Sequence, residues 1–282
     1  IVPWLARSVS ESTALIKLTF QSLGLVFIVT ALMRPQMGQS QQEIKSEGVE
    51  LMILADVSDS MLAEDIKPSR LDIMKIELER LVDMMPGNKM GLIAFAGSSA
   101  LMSPLTSDPS ALKMYIQALD TNAVSSQGTN FQLALEHAKE AFEKGGVTQD
   151  QNSKATRVIL IMSDGEDQDS KALDEAKKLA EQGLYIITVA YGTEKGGTIP
   201  ARDQMGNLMG TRKGKDGQPI ITQVKGEFLK KIAEESKGQF FVARYGGNHL
   251  QDIVTGIDRY EKAEFASAMN IQYDEKFQIP LL

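Results

Sequence analysis

Residues 49–60 read Val49-Glu50-Leu51-Met52-Ile53-Leu54-Ala55-Asp56-Val57-Ser58-Asp59-Ser60. An apolar run this short and this continuous is the pattern of a strand covered on both faces. It stops on an aspartate, after which Asp56, Ser58 and Ser60 alternate, so a tight loop brings their oxygens together. A second run, Val158-Ile159-Leu160-Ile161-Met162, also stops on an acid, in Ser163-Asp164-Gly165. Parallel strands of this kind bind ligands beyond their carboxyl ends, at the point where strand order reverses.

Outward from these two strands, short apolar runs alternate with helical periods. Residues 68–85 carry Leu71, Met74, Leu78, Leu81, Val82 and Met85 at helical spacing and stop at Pro86-Gly87. Residues 90–95 form a strand, with Leu101-Met102 and Leu105 as a hairpin partner. Ser107-Asp108-Pro109 opens a helix, with proline where a missing N–H costs nothing. Further helices are expected over 129–142, 174–181, 228–235 (ending at Gly238) and 249–260, and strands over 185–190 and 240–242. The expected fold is α/β, a doubly wound, mostly parallel sheet flanked by helices. Residues 196–224, with glycines at 196, 197, 206, 210, 214 and 217, break the alternation and read as an inserted hairpin turning at Asp216-Gly217.

Composition narrows the function. The chain has 282 residues, 30 Lys and Arg against 37 Asp and Glu, and a net charge of -7. That balance lacks the clustered cations that displace counterions from nucleic acid, so no nucleic-acid partner is expected. The run Arg212-Lys213-Gly214-Lys215, broken by glycine, reads as a solvated turn. With no cysteine and only two histidines, thiolate sites, cysteine nucleophiles and histidine-rich zinc sites are excluded.

The amino-terminal region reads as an interfacial segment (1–12), a transmembrane helix (13–34) and a Gln-rich linker (35–48). The helix is long enough for a bilayer core, with Lys17 near its end, where a long side chain reaches the headgroups, and Arg34-Pro35 closing it. The folded domain is then 49–265, and both ends of the chain read as truncations.

Hydroxyls plus a few carboxylates suit a hard divalent ion that keeps several waters, magnesium before any transition metal. Ser, Thr and Asp are also ordinary capping and turn residues; their ordered arrangement at strand ends distinguishes a site here. Asp56-x-Ser58-x-Ser60, Thr129 in Gln127-Gly128-Thr129-Asn130, and Asp164 in Ser163-Asp164-Gly165 resemble the metal-ion-dependent adhesion site of von Willebrand factor A domains. The resemblance implies that the hydroxyls of Ser58, Ser60 and Thr129 ligate Mg²⁺ (Mn²⁺ or Ca²⁺ as alternatives), with Asp56 and Asp164 holding it mostly through water. A coordination position is left for a partner's acidic group. Asp59 stands where close relatives have glycine.

The resemblance extends to Met33-Arg34-Pro35-Gln36, Lys67-Pro68-Ser69-Arg70-Leu71, Thr198-Ile199-Pro200 and Gly217-Gln218-Pro219-Ile220. Together these are similar to the Bat proteins, bacterial membrane-anchored A-domain proteins named for aerotolerance. It implies a bacterial inner-membrane location with the A domain facing the periplasm, membrane lipid around the anchor, and other Bat-type proteins and a MoxR-type AAA+ ATPase as partners. It also implies that residues 266–282 are a strand or lead-in to a truncated carboxyl-terminal membrane helix, because Tyr273-Asp274-Glu275-Lys276-Phe277-Gln278 resembles the stretch before that family's last membrane helix. The expected function is metal-dependent protein interaction without catalysis. The alternatives are a structural subunit with a non-essential metal site, or a Mg²⁺-dependent phosphatase using Asp56. Against the last, haloacid-dehalogenase-like enzymes place a second Asp two residues after the nucleophile, where this chain has Ser58.

Overall fold

The computed structural model describes residues 11–32, 48–145, 155–166, 170–203, 207–214, 216–243, 246 and 248–276. The chain divides into two units, residues 1–43 and 44–282.

In the first unit a single helix, α1 (Glu11–Leu32), occupies the region expected to span a membrane. Its described side chains, residues 15–25, are exposed, and the hydroxyls of Thr19 and Ser22 donate back to carbonyls one turn earlier, Thr19 to Leu15 (3.1 Å) and Ser22 to Leu18 (2.8 Å). Among the described residues no helix is long and apolar enough to cross a membrane. Most of the expected interfacial segment and linker lies outside the described residues.

The second unit is built on a six-stranded sheet. Its strands are β1 (Val49–Asp56), β2 (Lys89–Phe95), β3 (Ser99–Thr106), β4 (Thr156–Ser163), β5 (Tyr185–Ala190) and, after the insertion, β10 (Gln239–Val242). The order is β10-β5-β4-β1-β2-β3, parallel throughout except for β3, which runs antiparallel to β2 at the edge. From β1 the chain steps outward to β2 on one side and, through β4, to β5 and β10 on the other. The reversal therefore falls between β1 and β4, whose register pairs Ala55 with Met162. The two acid-tipped strands read from the sequence are thus neighbours, and their carboxyl ends form the crevice.

The continuous apolar run of β1 serves two cores because successive side chains point to opposite faces. Val49, Leu51, Ile53 and Ala55 pack with α2 (Arg70–Met84), α3 (Pro109–Gln117) and α7 (Asn248–Lys276), through residues such as Met74, Ile116 and Ile253. Met52 and Leu54 pack on the other side with α4 (Phe131–Gly145), α5 (Ser170–Glu181) and α6 (Gly226–Glu235), through Phe131, Leu179 and Ile232. The first turn of α7 is pinned from inside the domain. Tyr191 donates to Glu77 of α2, and Nε2 of His249 lies 3.1 Å from the same carboxylate, all three side chains being buried.

Three expectations are corrected. The helix expected from Thr129 starts at Phe131, because the Asn130 side chain accepts from Leu133 N–H (2.9 Å) and caps it. Residues 266–276, expected as a strand or lead-in, are not a strand but continue α7, since nothing between Ile257 and Lys276 is glycine or proline and strong helix formers recur; residues 277–282, where a lead-in would continue, lie outside the described residues. The insertion is branched rather than a single hairpin. β6 (Gly197–Thr198) pairs with β9 (Ile221–Thr222), enclosing a ribbon of β7 (Pro200–Arg202) with β8 (Leu208–Thr211) and a turn closed by the Lys213–Pro219 bridge. Gly217 takes a left-handed φ of 75° at that turn, as its position after Asp216 suggests.

The end of α6 separates two roles that glycine often combines. Lys237, not Gly238, occupies the left-handed position (φ 55°), while Gly238 N–H donates to Ala233 O (2.8 Å). Gly238 is required for space, since a Cβ there would sit 1.7 Å from the Ile186 carbonyl oxygen. Lys237→Gly is therefore expected to raise stability by about 1 kcal/mol by relieving the left-handed strain. Gly238→Ala should cost about 1–3 kcal/mol by forcing the turn off β5. Paired urea melts showing the same sign for both substitutions would contradict this division.

Candidate metal centre

Asp56 ends β1 with no exposed surface, and both of its oxygens are engaged: one accepts from Ser58 N–H (2.8 Å), the other from the Ser163 hydroxyl (2.5 Å). The first bond folds the chain back on itself and places Ser58 and Ser60 side by side at the start of a 3₁₀ turn, Asp59–Leu62, with their hydroxyl oxygens 3.0 Å apart. Asp164, one residue past β4, is equally buried and accepts from the Ser60 hydroxyl, from Glu166 N–H (3.3 Å) and from Nη1 of Arg70 (2.8 Å).

Four of the five residues expected to ligate the ion, Asp56, Ser58, Ser60 and Asp164, thus converge at the switch point. Thr129 is half-buried in the loop before α4, and among the described residues no hydrogen bond joins it to the other four. Its loop nevertheless reaches the metal loop, because Gln127 Oε1 accepts from Asp59 N–H (3.0 Å).

Arg70 is the residue that sequence reasoning missed. It is wholly buried, forks onto both oxygens of Asp65 (2.8 and 2.9 Å), and reaches Asp164 as well as the hydroxyl (3.2 Å) and carbonyl (3.0 Å) of Thr222. A signal was present: Arg70 opens α2 directly after the Ser69 cap, where the helix dipole disfavours a cation, so it requires anionic neighbours from elsewhere in the chain. Ser163 and Asp59 have similar long-range ties, the latter pairing with Arg212 of the insertion.

The electrostatics follow from burial. Asp56 is pushed up to about 7, first because burial penalises its charged form and second because Asp164 lies beside it. Burial also drives Asp164 upward, against the opposing Ser60 hydrogen bond and the Arg70 charge. Asp65 moves the other way: burial would raise it, but Arg70 and the Thr193 N–H hold it below the usual carboxylate range. Three buried carboxylates, Asp56, Asp65 and Asp164, thus face one buried guanidinium. Burial thus makes Asp56 and Asp164 hold their protons more tightly, and a cation beside them would favour their ionised forms.

The donor set fits that ion. Among the described residues no group of three or more His, Cys, Asp or Glu is placed to hold a metal, and a hydroxyl-rich set with two carboxylates selects a hard, partly hydrated ion over a transition metal. The 3.0 Å between the two serine oxygens is also the edge of an octahedron whose ligands stand about 2.1 Å from magnesium.

Comparison with known proteins places this arrangement in a lineage. The von Willebrand factor type A domain pattern matches residues 51–166, which contain all five of these positions. A conserved hypothetical protein, BatB, from Bacteroides thetaiotaomicron is 30% identical in a structural match covering 76% of this chain and 100% of that one, with a TM-score of 0.68. An aerotolerance-related membrane protein from Bacteroides fragilis is 29% identical over 75% of this chain and 100% of its own, also at 0.68. A UPF0353 protein of Nocardia farcinica is 29% identical over 252 residues, 85% of this chain and 69% of that protein. Further UPF0353 relatives from mycobacteria are spanned over only 55–63% of their length. The fold, the position of the switch point and these matches agree, and the chain belongs to the Bat family of von Willebrand factor type A domain proteins.

Proposed function

We propose that the A domain binds a divalent cation, magnesium first, through the hydroxyls of Ser58, Ser60 and Thr129 and the carboxylates of Asp56 and Asp164, and that through this ion it holds an acidic side chain of a protein partner. The carrying observation is the geometry: Asp56 and Asp164 lie fully buried at the sheet switch point beside the paired hydroxyls of Ser58 and Ser60, and among the described residues Arg70 is the one cation bonded to Asp164. The bound ion supplies a point charge with a coordination position for a carboxylate; the chain's own residues orient it and exclude water beneath it. Catalysis by Asp56 is disfavoured, because the position two residues on, where a haloacid-dehalogenase-like enzyme carries its second acid, is Ser58.

The reading includes anchoring. α1, although not apolar enough over its described residues to count as a span, carries exposed apolar side chains and hydroxyls satisfied within the helix, which suits contact with lipid. The related Bacteroides fragilis protein is described as a membrane protein. We place the chain in the bacterial inner membrane with the A domain on the periplasmic side, working with other Bat-type membrane proteins and a MoxR-type AAA+ ATPase.

Calorimetric Mg²⁺ titration and a detergent-extract pull-down test this together. Wild type should bind Mg²⁺, and Asp56→Ala with Ser58→Ala should weaken that binding by more than tenfold, a loss of more than about 1.4 kcal/mol. The same partner should disappear with EDTA and with the variant. A partner set unchanged in all three conditions would leave the protein a structural subunit held by its anchor.

A further inference from the structure

The insertion meets the metal face along its whole rim. Arg212 pairs with Asp59, the residue between the two serines, and Arg202 pairs with Glu64 (2.9 Å); just before the insertion, the Thr193 N–H and hydroxyl donate to Asp65 (2.8 and 3.0 Å). Thr222 takes two bonds from Arg70 and donates to Glu166, next but one to Asp164. The insertion is therefore a fixed wall of the site rather than a loose arm.

That wall presents four large apolar side chains to solvent among its polar ones. Leu208 is 64% exposed, Met209 74%, Ile220 40% and Ile221 62%. Ile221 adjoins Thr222, and Met209 is three residues from Arg212, so these side chains stand within about 10 Å of backbone anchored at the metal loop. Leu208 and Met209 are successive strand residues pointing to opposite faces, and both are open because the β7·β8 ribbon has only two strands and no layer to pack on. Large apolar side chains gathered on one solvated element mark an interaction surface.

Charge indicates what this surface takes. Residues 196–224 hold four Lys and Arg against two Asp in a chain of net charge -7. Arg212 and Arg202 each cover an acid of the metal loop, Asp59 and Glu64, which removes repulsion toward an incoming carboxylate. Lys213 and Lys225 are exposed alongside, Lys225 donating its N–H to the Asp164 carbonyl (2.8 Å).

We propose that the described residues of 196–224 form the second half of a composite binding surface, and that its occupant is a protein segment with an acidic side chain for the cation, flanked within a few residues by aliphatic side chains that pack on the face of the ribbon turned toward the cation, which carries one of Leu208 and Met209 and one of Ile220 and Ile221. This rests on the cation reading above and adds the chemistry of the partner. The cation fixes the carboxylate, and the wall selects among acidic segments by what surrounds the acid.

Displayed random dodecapeptides, selected on the detergent-solubilised full chain in Mg²⁺ and eluted with EDTA, supply the probe. A selected peptide is then synthesised with a fluorophore and titrated by anisotropy. We expect Asp or Glu beside aliphatic residues in the selected sequences. Leu208→Ser with Met209→Ser, both at exposed positions, should weaken the peptide by about tenfold or more while calorimetric Mg²⁺ affinity stays at the wild-type value; Asp56→Ala should remove both. If the double-serine protein binds the peptide as wild type does, the wall plays no part and the cation reading stands alone. If binding survives EDTA and Asp56→Ala, or if no peptide elutes with EDTA, the composite surface is overturned together with its metal half. Sedimentation showing a wild-type dimer that the double-serine variant dissolves would also overturn the proposal, by making a second copy the occupant.

Discussion

Arg70→Ala should destabilise the A domain by about 3–5 kcal/mol, because it leaves Asp65 and Asp164 buried without a counter-charge. The loss should appear as a lower urea midpoint with little change in slope, since the surface exposed on unfolding is nearly the same. Arg70→Lys should recover only part of it: an ammonium is a point charge and cannot span both oxygens of Asp65, the Asp164 carboxylate and the Thr222 carbonyl. A loss below about 1 kcal/mol for Arg70→Ala would mean that the pair behaves as a solvated surface contact.

The second large effect is a dependence on pH that reverses with metal. Asp56 is raised from 3.8 to about 7 by burial and by Asp164. An acid whose folded pKa lies above its unfolded value holds its proton more tightly when folded. Its contribution to stability is therefore full below about pH 4 and is lost as pH rises toward 7, with a slope approaching about 1.4 kcal/mol per pH unit and a total on the order of 4 kcal/mol. Chelated protein should thus melt progressively lower between pH 4 and 7 relative to an Asp56→Asn variant, which has no carboxyl to titrate. Saturating Mg²⁺ favours the ionised form, so its stabilising effect should grow across the same window. A Mg²⁺ effect that is flat in pH, or equal in the Asn variant, would remove Asp56 from the site.

Much of this architecture could be read before any coordinates. The strand over 49–56 and the apolar run of β4 were legible because sheets covered on both faces demand unbroken apolar stretches, and the acids at their ends were legible because polar residues seldom follow such stretches without reason. Placing Asp56 and Asp164 together needed only the rule that adjacent parallel strands share a carboxyl edge. Arg70 was hidden, since its partners Asp164 and Thr222 lie 94 and 152 residues away and local pattern treats it as another helix-surface cation. The branching of the insertion was hidden for a related reason: pairs as short as β6 with β9 leave no periodicity to read. The extension of α7 beyond Tyr260 was visible in the absence of breakers, and a strand over 266–276 was the part of the expectation that ignored it.

The central place of β1 also dictates an order of events. Its partners are β2, which follows soon after, and β4, whose last residue Ser163 lies 107 residues beyond Asp56. During synthesis this fully buried central strand of the domain therefore emerges first and waits for roughly a third of the chain before its second edge is covered, the long-range closure that slows folding. Asp164 arrives with β4, so the metal loop stays incomplete over the same interval. The proposed cation site is thus completed only on topological closure, and Mg²⁺ binding to nascent or truncated chains would report that β4 has been delivered to β1.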